Sequence, residues 1–93
     1  MVVKSILYHP RFVVEFKALD ASFQQRAIKT EALFRANPLH PSLRMHRLHG
    51  RLAGSWSISV TLKIRIIFKR MENGDIVFYS IGVHDLYRSL LNS

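Results

Sequence analysis

The sequence predicts an α+β domain of order β-α-α-β-β-β-β. A helical hairpin packs on one face of a small, mainly antiparallel twisted sheet, and a short C-terminal helix closes the chain. Three observations carry this. Apolar residues in the first half recur at helical spacing, whereas those from 55 onward alternate or gather in short β-branched blocks. Asn73-Gly74 falls between two such blocks, and this pair suits a tight hairpin because both central residues take positive φ.

Taken in order, "VVKSILY" (2–8) reads as a short strand stopped by His9-Pro10, with Pro10 as the first residue of a helix. Phe12, Phe16 and Leu19 then fall at i, i+4 and i+7, one helix face wide. Asp20 is an N-cap for a second helix. Phe23, Ala27 and Phe34 line one side of it and Ile28 and Ala32 another, which predicts packing against two neighbours. Two prolines in "NPLHP" end the hairpin. The stretch "RMHRLHG" (44–50) reads as an extended basic segment at one side of the sheet. In "SWSISVTL" Trp56, Ile58, Val60 and Leu62 alternate with small hydroxyl residues, a strand with one buried face. A tight turn near Lys63 leads to "IRIIFKRM", and "IVFYSIGV" (76–83), apolar on both faces, is an interior strand. Asp85 caps the closing helix. No repeat or linker divides residues 1–93, so the expectation is a single domain.

The composition narrows the function classes. At 48% apolar the chain is neither a disordered tail nor a linker. Its longest apolar run, 76–79, is far too short for a membrane span. The N-terminus is too short and interrupted for a signal peptide. Without cysteine there is no disulfide frame, and a reducing cytoplasm fits. Fourteen Lys and Arg against six Asp and Glu give a net charge of +8, which points to a polyanionic partner, nucleic acid or an acidic protein. The basic residues are spread along the chain, which argues against a membrane-surface helix.

The segment 40–56 holds three of the five histidines, which raises the question of a metal. His46 and His49 are three apart, so in an extended segment they point to opposite faces, and Gly50 and Gly54 oppose a long helix. With no cysteine and few carboxylates, no metal and no cofactor are expected, and His49 reads as a surface strand residue. The second reading is phosphate. Arg44, Arg47, Arg51, Arg65, Lys69, Arg70 and Arg88 surround a sheet face lined by Ser57, Ser59, Thr61 and Arg65. Arginine suits a phosphodiester because its planar fork donates two parallel hydrogen bonds. Arg65 stands mid-strand among isoleucines, where an unpaired charge is costly; it serves a ligand on that face or pairs with a carboxylate such as Asp85. Further on, "IGVHDLY" brings His84 and Tyr87 to a strand end. Metal-free RNA cleavage needs a base for the 2′-OH, cations for the phosphorane charge and an acid for the 5′-oxygen. His46, Arg65, His84 and Tyr87 supply those residue types, although a histidine at a strand end also serves packing or hydrogen bonding. Trp56 and Tyr79 read as packing residues.

"NPLHPSLRMHRLHGRLAGSWSISVTLKIRIIF" followed by "IGVHDLYR" closely resembles the RelE/ParE superfamily of bacterial type II toxins, especially its RelE/YafQ-like mRNA interferases. The likeness spans nearly the whole chain. It implies a ribosome-dependent endoribonuclease that cuts mRNA in the A site by metal-free 2′-OH attack, held inactive by a cognate antitoxin. By that resemblance His46 matches a histidine of the YafQ-like branch, Arg65 the phosphate-contacting arginine, His84 the last-strand His or basic residue, and Tyr87 the C-terminal aromatic. Arg44, Arg47, His49, Arg51, Ser57, Ser59, Lys63 and Lys69 are the expected RNA-contacting residues. The chain departs from the pattern at Ser57 and Ser59, where RelE has lysines and the YafQ-like branch an Asp and a second histidine. Lys63 replaces another aspartate of that branch, and Tyr87 lies one residue nearer its histidine than usual. Either His46 or His84 is the base. The alternatives on the same scaffold are a ParE-like DNA gyrase inhibitor and a catalytically weak binding module.

Overall fold

The computed structural model describes residues 1–83; the expected C-terminal helix, with Asp85, lies outside the described residues. The elements run β1 (Ile6–Tyr8), α1 (Pro10–Lys17), α2 (Ala21–Ala36), β2 (His46–Arg47), β3 (Ser55–Ser59), β4 (Ile64–Arg70) and β5 (Ile76–Val83), with 3-10 turns at Pro41–Leu43 and Gly50–Leu52. They form one five-stranded sheet of order β1-β5-β4-β3-β2. β1 is parallel to β5 and the other pairings are antiparallel. Order and mixed topology agree with the sequence reading.

The helices cover one face of the sheet. Phe12, Phe34, Ile58, Ile66, Phe68, Phe78 and Ile81 make the centre of the core there, with Phe16, Leu19, Phe23 and Trp56 at its margin. The predicted stripe of α1 is therefore its buried face. Phe78 is the hub: its ring lies 5.5 Å from Phe12, 5.8 Å from Phe34 and 6.4 Å from Phe68, centroid to centroid, in tilted geometries that favour aromatic pairs.

Several boundaries differ from expectation. β1 starts at Ile6 rather than Val2, because β5 begins at its partner Ile76 and has nothing to offer residues 2–5 beyond the bond from Ile76 N–H to the Ser5 carbonyl. β3 ends at Ser59, and Thr61 lies in the following turn, where its Oγ1 accepts from the N–H of Lys63 and of Ile64. Asp20 holds the N-cap position of α2, but its carboxylate makes no capping bond. The second apolar side expected on α2 has no neighbour among the described residues: Ile28 is 50% exposed and Ala32 is exposed. Ile28 instead borders an apolar groove of about 350 Å³ between α1 and α2, with Tyr8, Phe12 and Phe16 among its walls.

The β4–β5 hairpin is tied back to β1. Gly74 takes φ +93 in the turn, and Asp75 accepts from the Ser5 hydroxyl and from the Asn73 amide. These bonds, Ser5 first, hold the Asp75 carboxyl below its usual range. A depressed folded value means that this contribution to stability is present above the unfolded pKa and fades as pH falls through the folded one. Ser5→Ala is expected to move the Asp75 titration up toward the ordinary aspartate value, read by NMR of its side-chain carboxyl; an unmoved titration would show that Ser5 is not the cause.

Candidate active site

Residues directly opposite in an antiparallel pair share a face, so the strand register assigns the sheet surface away from the helices. One row across it is His46 (β2), Ser57 (β3) and Ile67 (β4). The next, two residues along, is Ser59 (β3), Arg65 (β4) and Gly82 (β5). A third, on the other side of Ile67, is Ser55, Lys69 and Val77.

Arg65 is held by neighbours Ile64 and Ile66, buried on the helix side at 4% and 1% exposure, which force its own side chain outward. Its Nη1 is shielded from solvent yet has no hydrogen-bond partner among the described residues. The same is true of Oγ of Ser59, the residue directly across from it. A cationic donor and a hydroxyl left open side by side are what an anionic oxygen needs, and leaving both unmet costs folding free energy.

His46 is exposed, two strands from Arg65 and two residues along. The spacing of strands puts the two Cα atoms about 12 Å apart, close enough for the side chains to approach one phosphate from opposite sides. Nδ1 of His46 lies 3.2 Å from the carbonyl oxygen of Arg44. A carbonyl only accepts, so this bond requires the proton on Nδ1 and leaves Nε2 of the neutral ring as a free acceptor. Arg44 offers that carbonyl from a left-handed conformation, φ 47, at the end of the first 3-10 turn.

The rest of the expected site divides. Ser57 is fully buried, so the expectation of a hydroxyl-lined open face is corrected there: Leu48 and Leu52 fold over the sheet and pack with Tyr79 on Ile67, closing its middle. Thr61 is absent from that face, being committed to the turn. Arg47 is on the wrong side, because it pairs with Trp56 and its guanidinium lies 5.2 Å from that ring, on the helix side. Arg44, His49, Arg51 and Lys63 are exposed on the surrounding turns. Lys69 is exposed on the same face as Arg65 but beyond the Leu48–Leu52 cover, with Nζ 5.7 Å from the Tyr79 ring centroid. His84, Tyr87 and Arg88 lie outside the described residues. The structure thus sets Ser59 beside Arg65, with His46 on the same face of the sheet. The covering leucines escaped the sequence reading; Ile67, apolar on an otherwise polar face, was the signal that something sits on it.

Among the described residues no three His, Cys, Asp or Glu side chains come together as metal ligands.

Comparison by sequence finds no matching family profile and no matching curated relative. Comparison by structure is positive. YafQ from Escherichia coli strain BL21(DE3) superposes with a TM-score of 0.75 at 18% identity, over 89% of this chain and 96% of that one. This chain has the fold seen in YafQ. The YoeB/ParE toxin from Agrobacterium tumefaciens gives a TM-score of 0.71 at 14% identity, over 86% and 98%. The E. coli DinJ-YafQ toxin-antitoxin complex gives 0.73 at 18% identity, over 91% and 97%. At these identities the likeness is one of fold, and it extends over most of this chain and nearly all of each of those.

Proposed function

We propose that this chain is the toxin of a type II toxin-antitoxin pair and that it cuts mRNA in the ribosomal A site. The observation that carries the reading is the shielded Nη1 of Arg65 beside the Ser59 hydroxyl, both without a hydrogen-bond partner among the described residues. Together they fit a phosphodiester oxygen. The net charge of +8 supports a polyanionic substrate, and the RelE/ParE-like fold supports the toxin class.

The chemistry follows from the residue types. A base takes the ribose 2′ proton, the 2′ oxygen forms a bond to the adjacent phosphorus, and the bond to the 5′ oxygen breaks. The products are a 2′,3′-cyclic phosphate and a 5′-hydroxyl, which takes its proton from the acid. Arg65 neutralises the charge that builds on the non-bridging oxygens, a contribution largest in a site already screened from water. His46, with Nε2 unprotonated, has the tautomer a base needs. His84 and Tyr87 enter by resemblance alone, His84 as the other candidate for the base and Tyr87 as the acid or a stacking partner. With lysines and acids missing from the expected constellation, activity depends on the ribosome to place the substrate.

The partner that silences it is a cognate antitoxin, an acidic amphipathic chain whose apolar face suits the groove beside Ile28. The fold is shared with YafQ, which is seen in complex with DinJ, and this supports such a pairing. The place of action is the cytoplasm, where mRNA is translated.

Induced expression followed by primer-extension mapping of transcripts tests the reading. Codon-phased cuts inside translated mRNA, lost in Arg65→Ala and His84→Ala, are the expected result. Intact mRNA together with inhibited DNA supercoiling would overturn it in favour of a gyrase inhibitor.

A further inference from the structure

We propose that Glu15 is a positioning residue of the Arg65 site: its carboxylate stands in for a missing strand at the free edge of β5 and holds that strand's end in register with β4. This rests on the reading of Arg65 as the phosphate ligand.

β1 pairs with β5 only from Ile76 to Phe78, after which the chain leaves into α1 with a last bond from His9 N–H to the Phe78 carbonyl. Beyond Phe78, β5 has β4 on one side and, among the described residues, no strand on the other. Ser80 and Ile81 are nonetheless buried there, at 0% and 1% exposure, so their polar groups need partners from elsewhere. Glu15 provides them. Its Oε1 accepts the N–H of Ile81 at 3.2 Å and also the Ser80 hydroxyl. Its Oε2 faces Nε of Arg11, 3.4 Å away and one helical turn back.

The place matters because the strand changes phase at this point. Ile67 opposes Ser80 whereas Phe68 opposes Phe78, leaving Tyr79 as an extra residue. The bulge lets Phe78 and Ile81, three apart, both face the core. It also sets Gly82 opposite Arg65. Were the bulge lost and Tyr79 taken into the ladder, the count from Phe68–Phe78 would put Ile81 opposite Arg65. An isoleucine side chain would then crowd the guanidinium and leave the core. Glu15 hydrogen-bonds the two residues that follow Tyr79, so it fixes where the phase shift falls.

The test compares Glu15→Ala, which removes both bonds to β5, with Glu15→Gln, whose single amide oxygen can still accept them. In the alanine variant the single-turnover cutting rate on mRNA-programmed ribosomes is expected to fall on the order of 10²-fold with KM unchanged, and Gln is expected to restore most of it. NMR supplies a readout that needs no activity. Amide exchange of Ile81 is expected to quicken in Glu15→Ala and the cross-strand contact between Arg65 and Gly82 to weaken, with both near wild type in Glu15→Gln. If the wild-type chain cuts no mRNA, the functional reading fails and Glu15 is judged on the NMR signals alone. Should Glu15→Ala not fold, Ser80→Ala, which deletes one of the two bonds, is expected to show the same changes to a lesser degree. Wild-type exchange at Ile81 and an intact Arg65–Gly82 contact in whichever alanine variant folds would overturn the proposal.

Discussion

Arg65→Met is expected to abolish mRNA cutting while making the protein more stable. The two effects share a cause. The guanidinium lies in an interior strand with Nη1 shielded and without a partner among the described residues, so the folded state bears a desolvation cost that nothing there offsets. Such unmet groups typically cost about 1–3 kcal/mol, and methionine fills a comparable volume without any polar atom. In a domain of this size each kcal/mol moves the melting temperature by roughly 4–8 °C. Loss of the cation at the scissile phosphate is expected to slow the reaction by about 10²–10³-fold, the scale seen when one preorganised charge-stabilising donor is removed. Arg65→Lys separates charge from geometry, since an ammonium keeps the first and lacks the planar fork. It is expected to recover part of the binding to ribosome-bound mRNA and little of the rate. Thermal melts and single-turnover cutting on programmed ribosomes check both halves. A methionine variant that melts lower and still cuts would show that Arg65 is a structural residue.

That pairing of instability with function bears on what could be read in the sequence. The element order was legible because it depends on local periodicity. Phe12, Phe16 and Leu19 mark one helix face, and the Trp56–Val60 alternation marks one sheet face, whatever else the chain does. Arg65 was legible for a related reason: a charge between buried isoleucines breaks the local pattern, and such breaks gather at functional sites. Other features depend on residues far apart in the chain. Leu48 and Leu52 close over Ile67 only once β2 has docked beside β3, so Ser57 looked open in sequence and is buried in the fold. Arg47 and His46 are adjacent and both polar, and only the pairing with Trp56 and Ser57 sends them to opposite faces. Ile28 and Ala32 have helical spacing, yet both are exposed, with no second neighbour for α2 among the described residues. The phase shift at Tyr79 depends on Glu15, sixty-odd positions earlier, which no periodicity reveals.

Phe78→Ala carries the largest expected effect on stability. The side chain is 1% exposed and its ring meets those of Tyr8, Phe12, Phe34 and Phe68, so it joins β1, both helices and β4. Truncating a buried phenylalanine costs about 3–5 kcal/mol, from lost transfer energy and the cavity left behind. A domain is stable by only about 5–15 kcal/mol, and one of 93 residues falls toward the lower part of that range. The neighbours cannot close the gap without pulling α1 off β5, because Phe12 reaches β5 through this ring. Urea denaturation followed by circular dichroism is expected to show a midpoint lowered by more than half, or a chain already unfolded in buffer. A partner that binds only the folded chain restores stability by mass action, about 2.7 kcal/mol at a hundredfold excess over its Kd. Coexpression with the cognate antitoxin is therefore expected to return much of the soluble Phe78→Ala protein. The same antitoxin should do less for Arg65→Met, which is folded without it. A Phe78→Ala midpoint within about 1 kcal/mol of wild type would mean that the aromatic cluster packs around another ring, with Phe34 the next to test.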